Sequence, residues 1–344
     1  MATDTLDLPT LMRRETQEAP ARVADMLGRN AAAYADLGAR LRAAPPPVVV
    51  TCARGSSDHA ATYGKYLIET LVGVPVASAA PSVASVFDAD VSAARALVVA
   101  VSQSGRSPDL LASVDAYAGS GALVAALVND ETSPLAARAD VALPLAAGPE
   151  TSVAATKSCI AAMVGLAAVA AAWSEDRALG DALTALPDLL ERAVAADWSA
   201  AVDPLRDVSQ MFVIGRGYGF GIAQECALKF KETCAIQAEP FSAAEVRHGP
   251  MAIVHDGFPV LALATSDSAG DDVVTVAGEF AGRGAAVLLA HAGSGSGLAA
   301  QAAHPAVEPI LMLASFYGLV EQLARARGRN PDQPPFLSKV TRTL

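Results

Sequence analysis

An acid pair, an amine and an imidazole are concentrated in one short stretch of this chain. Gly215 to Pro250 reads GRGYGFGIAQECALKFKETCAIQAEPFSAAEVRHGP. A helix is expected from about Phe220 to Cys234, with Ile222, Cys226 and Phe230 as its core-facing stripe. Glu225, Lys229 and Glu232 then fall at i, i+4 and i+7 on the adjacent face. His248 follows, bounded by Gly249 and Pro250. These are the side chains that general acid–base chemistry uses. Two readings are open: a solvated salt-bridge ladder, or a ligand-facing surface at a Gly-rich strand-to-helix turn, where ligands collect in open α/β sheets. Their concentration in a chain with only 5 His favours the second.

A second loop suits an anion. Ser102-Gln103-Ser104-Gly105-Arg106-Ser107-Pro108 lies between an apolar run and an expected helix, with Ser107 placed to cap it and Pro108 at its first position. Hydroxyls at Ser102, Ser104 and Ser107, free N–H groups and a positive helix end make an anion cradle. A plain Ser-rich cap is the simpler alternative; three hydroxyls with Gly105 favour phosphate. The P-loop spacing is absent. The corresponding place further on, Ala264-Thr265-Ser266-Asp267, lacks the Ser/Gly pattern and gains a carboxylate. Gly215 to Gly221 gives no register of G-x-G-x-x-G, which argues against nicotinamide binding.

The elements that must position these residues alternate. Val48–Cys52, Val74–Ala77, Leu97–Val101, Leu123–Leu127 and Val141–Leu143 are expected strands, with helices between them. A second series is expected at Met211–Ile214, Ile236–Ala238, Val260–Ala264, Ala286–Leu289 and Ala306–Glu308. The halves echo each other: Arg54-Gly55 matches Arg216-Gly217, and Tyr66–Thr70 matches Lys229–Thr233. The expectation is an α/β chain of two similar domains, each a mainly parallel sheet flanked by helices in three αβα layers, flavodoxin-like. The expected bounds are 1–45 for a helical leader, 46–180 and 198–335 for the two domains, and 336–344 for a tail.

Composition narrows the classes. With 344 residues, 52% of them hydrophobic, the chain can bury two ordinary cores. A net charge of −11 argues against nucleic acid, so an anion site must be locally positive. Cys52, Cys159, Cys226 and Cys234 form no metal-type pair and read as buried free thiols; neither metal nor cofactor is expected. Ile160 to Trp173 reads as a buried helix rather than a membrane span, and the N-terminus lacks signal-peptide order, so a cytoplasmic protein is expected.

In order, the motifs GSS, SQSGxS, ETSVAATK, GRG, ALKFKE, AEPFSAAEVRHGP, DQP and LSKVT resemble the tandem SIS (sugar isomerase) domains of the isomerase half of glucosamine-6-phosphate synthase. The resemblance runs from about residue 48 to the C-terminus. The synthase's glutaminase domain has no counterpart here, so the chain looks most like a stand-alone SIS-type glucosamine-6-phosphate deaminase. The resemblance implies sugar-phosphate contacts at Ser57, Ser102, Gln103, Ser104 and Ser107, with Val153 lining the sugar pocket. It implies that Glu232 moves the proton between C1 and C2; Glu225 and Lys229, on the same helical face, are expected to contact substrate. His248 is implied to open the ring from the other subunit of a homodimer, and Lys339, on a closing tail, to reach the substrate carbonyl. Ala155 stands where the synthase has a sugar-contacting Ser, and Arg106 where it has Glu, which leaves the exact sugar open. Another phosphorylated amino sugar or fructosamine, or a non-enzymatic sugar-phosphate sensor, are the competing readings.

Overall fold

The computed structural model describes residues 9–339; the first eight positions of the expected leader and 340–344 of the expected tail lie outside them. The first series of apolar runs forms β1 (Val49–Cys52), β2 (Val76–Ser78), β3 (Leu97–Ser102), β4 (Leu123–Val128) and β5 (Val141–Pro144). All pair in parallel, in the order β2-β1-β3-β4-β5. The second series forms β6 (Gln210–Gly215), β7 (Gln237–Ser242), β8 (Pro259–Ala264) and β9 (Ala286–His291), also parallel, in the order β7-β6-β8-β9. β1 and β3 are fully buried, which is why they read as continuous apolar runs rather than alternations. The longer helices are α1 (Leu11–Ala43), α2 (Ser56–Leu71), α3 (Pro108–Gly119), α4 (Lys157–Ser174), α5 (Arg177–Val194), α6 (Phe220–Lys229), α7 (Ser268–Ala281) and α8 (Glu308–Ala326).

One expected strand is a correction. Ala306–Glu308 is the turn into α8, and Glu308 is already helical. Pro309 in the first turn of that helix is the physical reason, since proline suits the start of a helix and removes a ladder donor from a strand. The second sheet therefore has four strands among the described residues.

A single apolar cluster joins the halves, running from Met12 and Val23 of α1 through Val164 of α4 to Phe230 and Phe316, whose rings meet edge-on at 5.1 Å. α4 is long and apolar enough to cross a membrane by length and composition, and 89% of it is buried inside this fold. The close approach of α2 to α6 depends on Gly221: a Cβ there would lie 2.6 Å from the His59 carbonyl oxygen. That crossing carries the first helix of one half onto the first helix of the other.

Candidate active site

β1 and β3 are neighbours whose following helices, α2 and α3, leave from a topological switch point, so a crevice opens beyond their C-terminal ends. A cavity of about 510 Å³ lies there. One wall is the segment Arg54–Ser57 after β1, and another is Ser102, Gln103, Ser104 and Ser107 after β3; Val153, Ala155, Lys229, Glu232 and Lys339 complete it. Nine residues named from the sequence thus converge, although they come from both halves and the tail. A wider groove of about 880 Å³ between α1, α4 and α5 is lined largely by Ala, Leu and Tyr side chains and gathers none of these residues.

The cradle is preshaped. The Ser102 hydroxyl accepts from the Gly105 N–H at 2.9 Å, and the Ser104 hydroxyl from the Arg106 N–H at 3.4 Å. Gly105 sits at φ +62°, and a Cβ on it would fall 2.3 Å from Ser133 Oγ, so this turn requires glycine. Ser107 holds the N-cap position of α3, yet its hydroxyl caps nothing. Arg106 turns away from the cradle to grip Asp130 at 2.7 Å.

The helix bearing the acids departs from its expected geometry. α6 ends at Lys229, and Phe230–Cys234 is a π turn that stops at Ala235 in a left-handed conformation. Such turns re-aim side chains and recur at functional sites. Here the turn brings Glu232 Oε2 to 2.7 Å from Lys229 Nζ. The solvated-ladder alternative does not hold, because Glu225 and Lys229 are 0% and 1% exposed. Lys229 Nζ also lies 3.2 Å from Glu225 and donates to Ser56 Oγ at 3.0 Å. Burial pushes the Lys229 ammonium down, but the Glu225 and Glu232 carboxylates outweigh it and hold the amine above its usual range. Burial likewise pushes Glu225 up, while Lys229 and the bond from His59 bring it below the usual carboxylate range. Lys229 is therefore a fixed cation beside the cavity, and burial pushes the Cys159 thiol in the wall well above its usual range, keeping it neutral.

Glu225 does not line the cavity. It sits one layer below, held by Lys229, by His59 Nδ1 at 2.9 Å and by the Tyr317 hydroxyl at 3.1 Å. His248 does not line it either; it is exposed at the end of the single turn Glu245–His248. Lys339 docks on the cavity wall, donating to Glu150 Oε2 at 3.1 Å and to the Ser152 carbonyl at 2.8 Å. Burial pushes the Glu150 carboxyl up, and Lys339 with the Ser158 bonds reverses this and lowers it. The Val153 loop is laced to the segment leading into the tail by the bond from Val153 N to Asp332 O at 3.1 Å, while the Asp332 carboxylate caps Leu11 and Met12 of α1. His59, Tyr317, Glu150 and Arg54 were not among the residues predicted for the site. Glu150 opens the ETSVAATK stretch, and Arg54 adjoins GSS; His59 and Tyr317 carry no local signal.

Two parallel sheets flanked by helices, with a hydroxyl-rich strand-to-helix loop facing a buried acid–amine cluster across a cavity, set the frame for comparison with known proteins. The chain belongs to the SIS domain family, whose model matches residues 44–172 and 204–327. It is similar to the isomerizing glutamine–fructose-6-phosphate aminotransferase of Aeropyrum pernix, at 37% identity over 83% of this chain and 49% of the relative. The chain thus spans about half the length of that curated relative. Among solved structures, a Silicibacter pomeroyi protein provisionally described as a phosphosugar isomerase superposes with a TM-score of 0.89 at 43% identity, covering 94% of this chain and all (100%) of that one. The C-terminal domain of the Francisella tularensis glucosamine-fructose-6-phosphate aminotransferase shares the fold, with a TM-score of 0.83 at 24% identity over 96% of this chain and 100% of that one.

Proposed function

We propose that this chain is a phosphosugar isomerase of the deaminating type, converting glucosamine 6-phosphate and water to fructose 6-phosphate and ammonia. The observation that carries the reading is the convergence of the hydroxyl cradle with Lys229, Glu232 and Lys339 on one cavity. In this reading a flavodoxin-like SIS unit at 46–180 holds the phosphate, a second unit at 198–335 supplies the acid–base groups, and the tail from 336 closes the site. Glu232 takes the proton from C2 of the ring-opened amino aldose and returns it at C1; the resulting C2 imine is hydrolysed, releasing ammonia. Lys229 stabilises the negative charge that builds on the intermediate, and Lys339 faces the carbonyl. His248 opens the ring from the second subunit of a homodimer. Its exposure, and the exposed Ile253 on the next turn, support that placement.

The test is ammonia release from a panel of amino-sugar phosphates. Glucosamine 6-phosphate should be turned over and unphosphorylated glucosamine should not; no turnover of any phosphorylated amino sugar would sink the reading. Ala155 in the cavity wall favours a second reading, a bulkier fructosamine phosphate, which the same panel distinguishes. For the shared site, co-refolded Glu232→Gln and His248→Ala chains should recover about a quarter of wild-type activity, one intact site in each mixed dimer. No recovery after verified subunit exchange would place both residues in the site of one chain.

A further inference from the structure

We propose that Arg54 is the cation that reads the phosphate in this cavity, and that the buried Asp109 is the clamp that presents it. The inference rests on the cradle taking a phosphate monoester, as proposed above. Arg54 lines the cavity beside Ser57, Ser104 and Ser107. Its Nε and Nη2 both donate to Asp109 Oδ2, at 2.9 and 2.6 Å. The Arg54 side chain is 52% exposed, whereas that of Asp109 is 0% exposed. A grip through Nε and Nη2 uses one edge of the guanidinium. Among the described residues Nη1 is left without a protein partner, on a side chain that faces the cavity. Arg carries several donors in a rigid fork suited to phosphate, and a fork already held in place loses less freedom when it binds.

Asp109 explains why a cation is needed here. It is the second residue of α3, the helix whose positive end faces the cradle. A bare carboxylate at that point would oppose the helix end and repel a phosphate. Arg54 cancels that charge and adds hydrogen-bond donors, in a molecule whose overall charge of −11 would otherwise work against an anion.

The chain carries its own control. In the second half Arg216, the sequence counterpart of Arg54, pairs with Asp272 of α7 at 3.1 Å. There the loop corresponding to the cradle is filled by the protein's own Glu308, which accepts from Ser266 N and Ser266 Oγ, each at 2.7 Å. A clasp between turn and helix is therefore common to both halves; an open cavity beside it belongs to the first.

The experiment measures binding of inorganic phosphate by calorimetry, with the kinetics of the phosphosugar alongside. Arg54→Gln should weaken phosphate binding by about 10- to 100-fold, the loss of charge-assisted hydrogen bonds. KM should rise by the same factor while kcat changes little. Arg54→Lys should recover part of the affinity, and Arg216→Gln should leave it unchanged. Because Arg54→Gln strands a buried carboxylate, the double variant Arg54→Gln/Asp109→Asn guards against misfolding, and its phosphate binding should stay weak. Wild-type affinity in folded Arg54→Gln, or restored affinity in the double variant, would show that the pair is only a clasp. If the wild-type chain binds neither phosphate nor any phosphosugar, the cradle reading falls and Arg54 falls with it; if wild type and Arg54→Gln bind alike, Arg54 alone falls.

Discussion

The two halves of the chain use the same parts in opposite ways. Gly55 after β1 and Gly217 after β6 take nearly the same turn, at φ +55° and +56°. Thr70 in α2 and Thr233 in the π turn make the same backbone bond four residues back, to Tyr66 O at 2.6 Å and to Lys229 O at 2.7 Å. Between these matched points the carboxylates diverge. Glu69 spends its Oε1 on the Val76 N–H of β2, at 2.9 Å, whereas its counterpart Glu232 stands against Lys229 in the cavity wall. The cradles diverge too. Ser102 to Ser107 surrounds open space, while Thr265 and Ser266 are tied to Asp267 and Glu308. A duplicated unit gains a site by leaving polar groups free and gains stability by pairing them off. Each half has taken both courses, at opposite places: the first keeps its cradle open and pairs off its carboxylate, and the second does the reverse.

The largest expected effect comes from treating the two matched glutamates alike. Glu232→Gln should lower turnover by about 10²- to 10⁴-fold, the usual contribution of a positioned general base. Glu69→Gln should leave turnover in place and cost less than about 1 kcal/mol, because the Gln Oε1 still accepts from the Val76 N–H and only the charge assistance is lost. Paired initial-rate and denaturation measurements check both. Equal losses of activity would erase the functional difference between the halves.

Next in size is the internal carboxylate of the second half. Glu308 is fully buried and accepts from Ser266 N, Ser266 Oγ and Ala303 N at 2.7, 2.7 and 3.0 Å. Glu308→Ala strands those donors and should cost about 2–5 kcal/mol in urea denaturation. Added formate or acetate should return part of it, because the vacated cradle is shaped for an anion. An unaffected midpoint would mean that the second cradle is not held by its carboxylate.

How far these differences could be read beforehand depended on where the partner residues lie. Strands such as Leu97–Ser102 and Pro259–Ala264 were legible because burial on both faces leaves an unbroken apolar run. The spacing of Glu225, Lys229 and Glu232 was legible as one helical face; its burial was not, since His59 and Tyr317 arrive from 166 and 92 residues away. Nor does any local pattern distinguish a π turn at Phe230–Cys234 from continued α-helix. Ala306-Val307-Glu308 was misread as a strand because two apolar residues outweighed the proline that follows. The serines of the cradle stood out since local sequence alone sets a strand-to-helix loop, whereas Arg54 and Asp109 sit 55 positions apart and meet only in the fold.

The ionisable groups in and beneath the cavity wall should also set the pH range of stability. Glu225 and Glu150 have folded pKa values below their ordinary 4.5, so the stability they contribute is present above pH 4.5 and is lost as pH falls through the folded values. Lys229 is raised above 10.5, so its contribution is fully present below pH 10.5 and is lost as pH rises through the folded value. Between these limits neither contribution should change. In Glu150→Gln the rise of stability with pH in the acid range should be shallower than in wild type, read from urea midpoints across that range. An identical slope would show that Glu150 and its tail contact at Lys339 do not govern acid unfolding.

The smallest effects separate the two cradles most cleanly, because both loops end in a helix-capping residue. Asp267 caps α7 with its side chain, accepting from Gly270 N at 3.0 Å, and it also takes the Thr265 hydroxyl at 2.7 Å. Ser107 occupies the same position on α3 and makes no side-chain cap bond. Removing a working cap costs about 1 kcal/mol. Asp267→Ala should therefore lower stability by about that much and leave phosphate affinity unchanged. Ser107→Ala should do the reverse, with an unchanged urea midpoint and phosphate binding weaker by about 3- to 10-fold for one hydrogen bond to an anion. The two readouts come from the same pair of variants. If Ser107→Ala proves as destabilising as Asp267→Ala, the Ser107 hydroxyl is serving the helix rather than a ligand. The first cradle would then differ from the second only in which group does the capping.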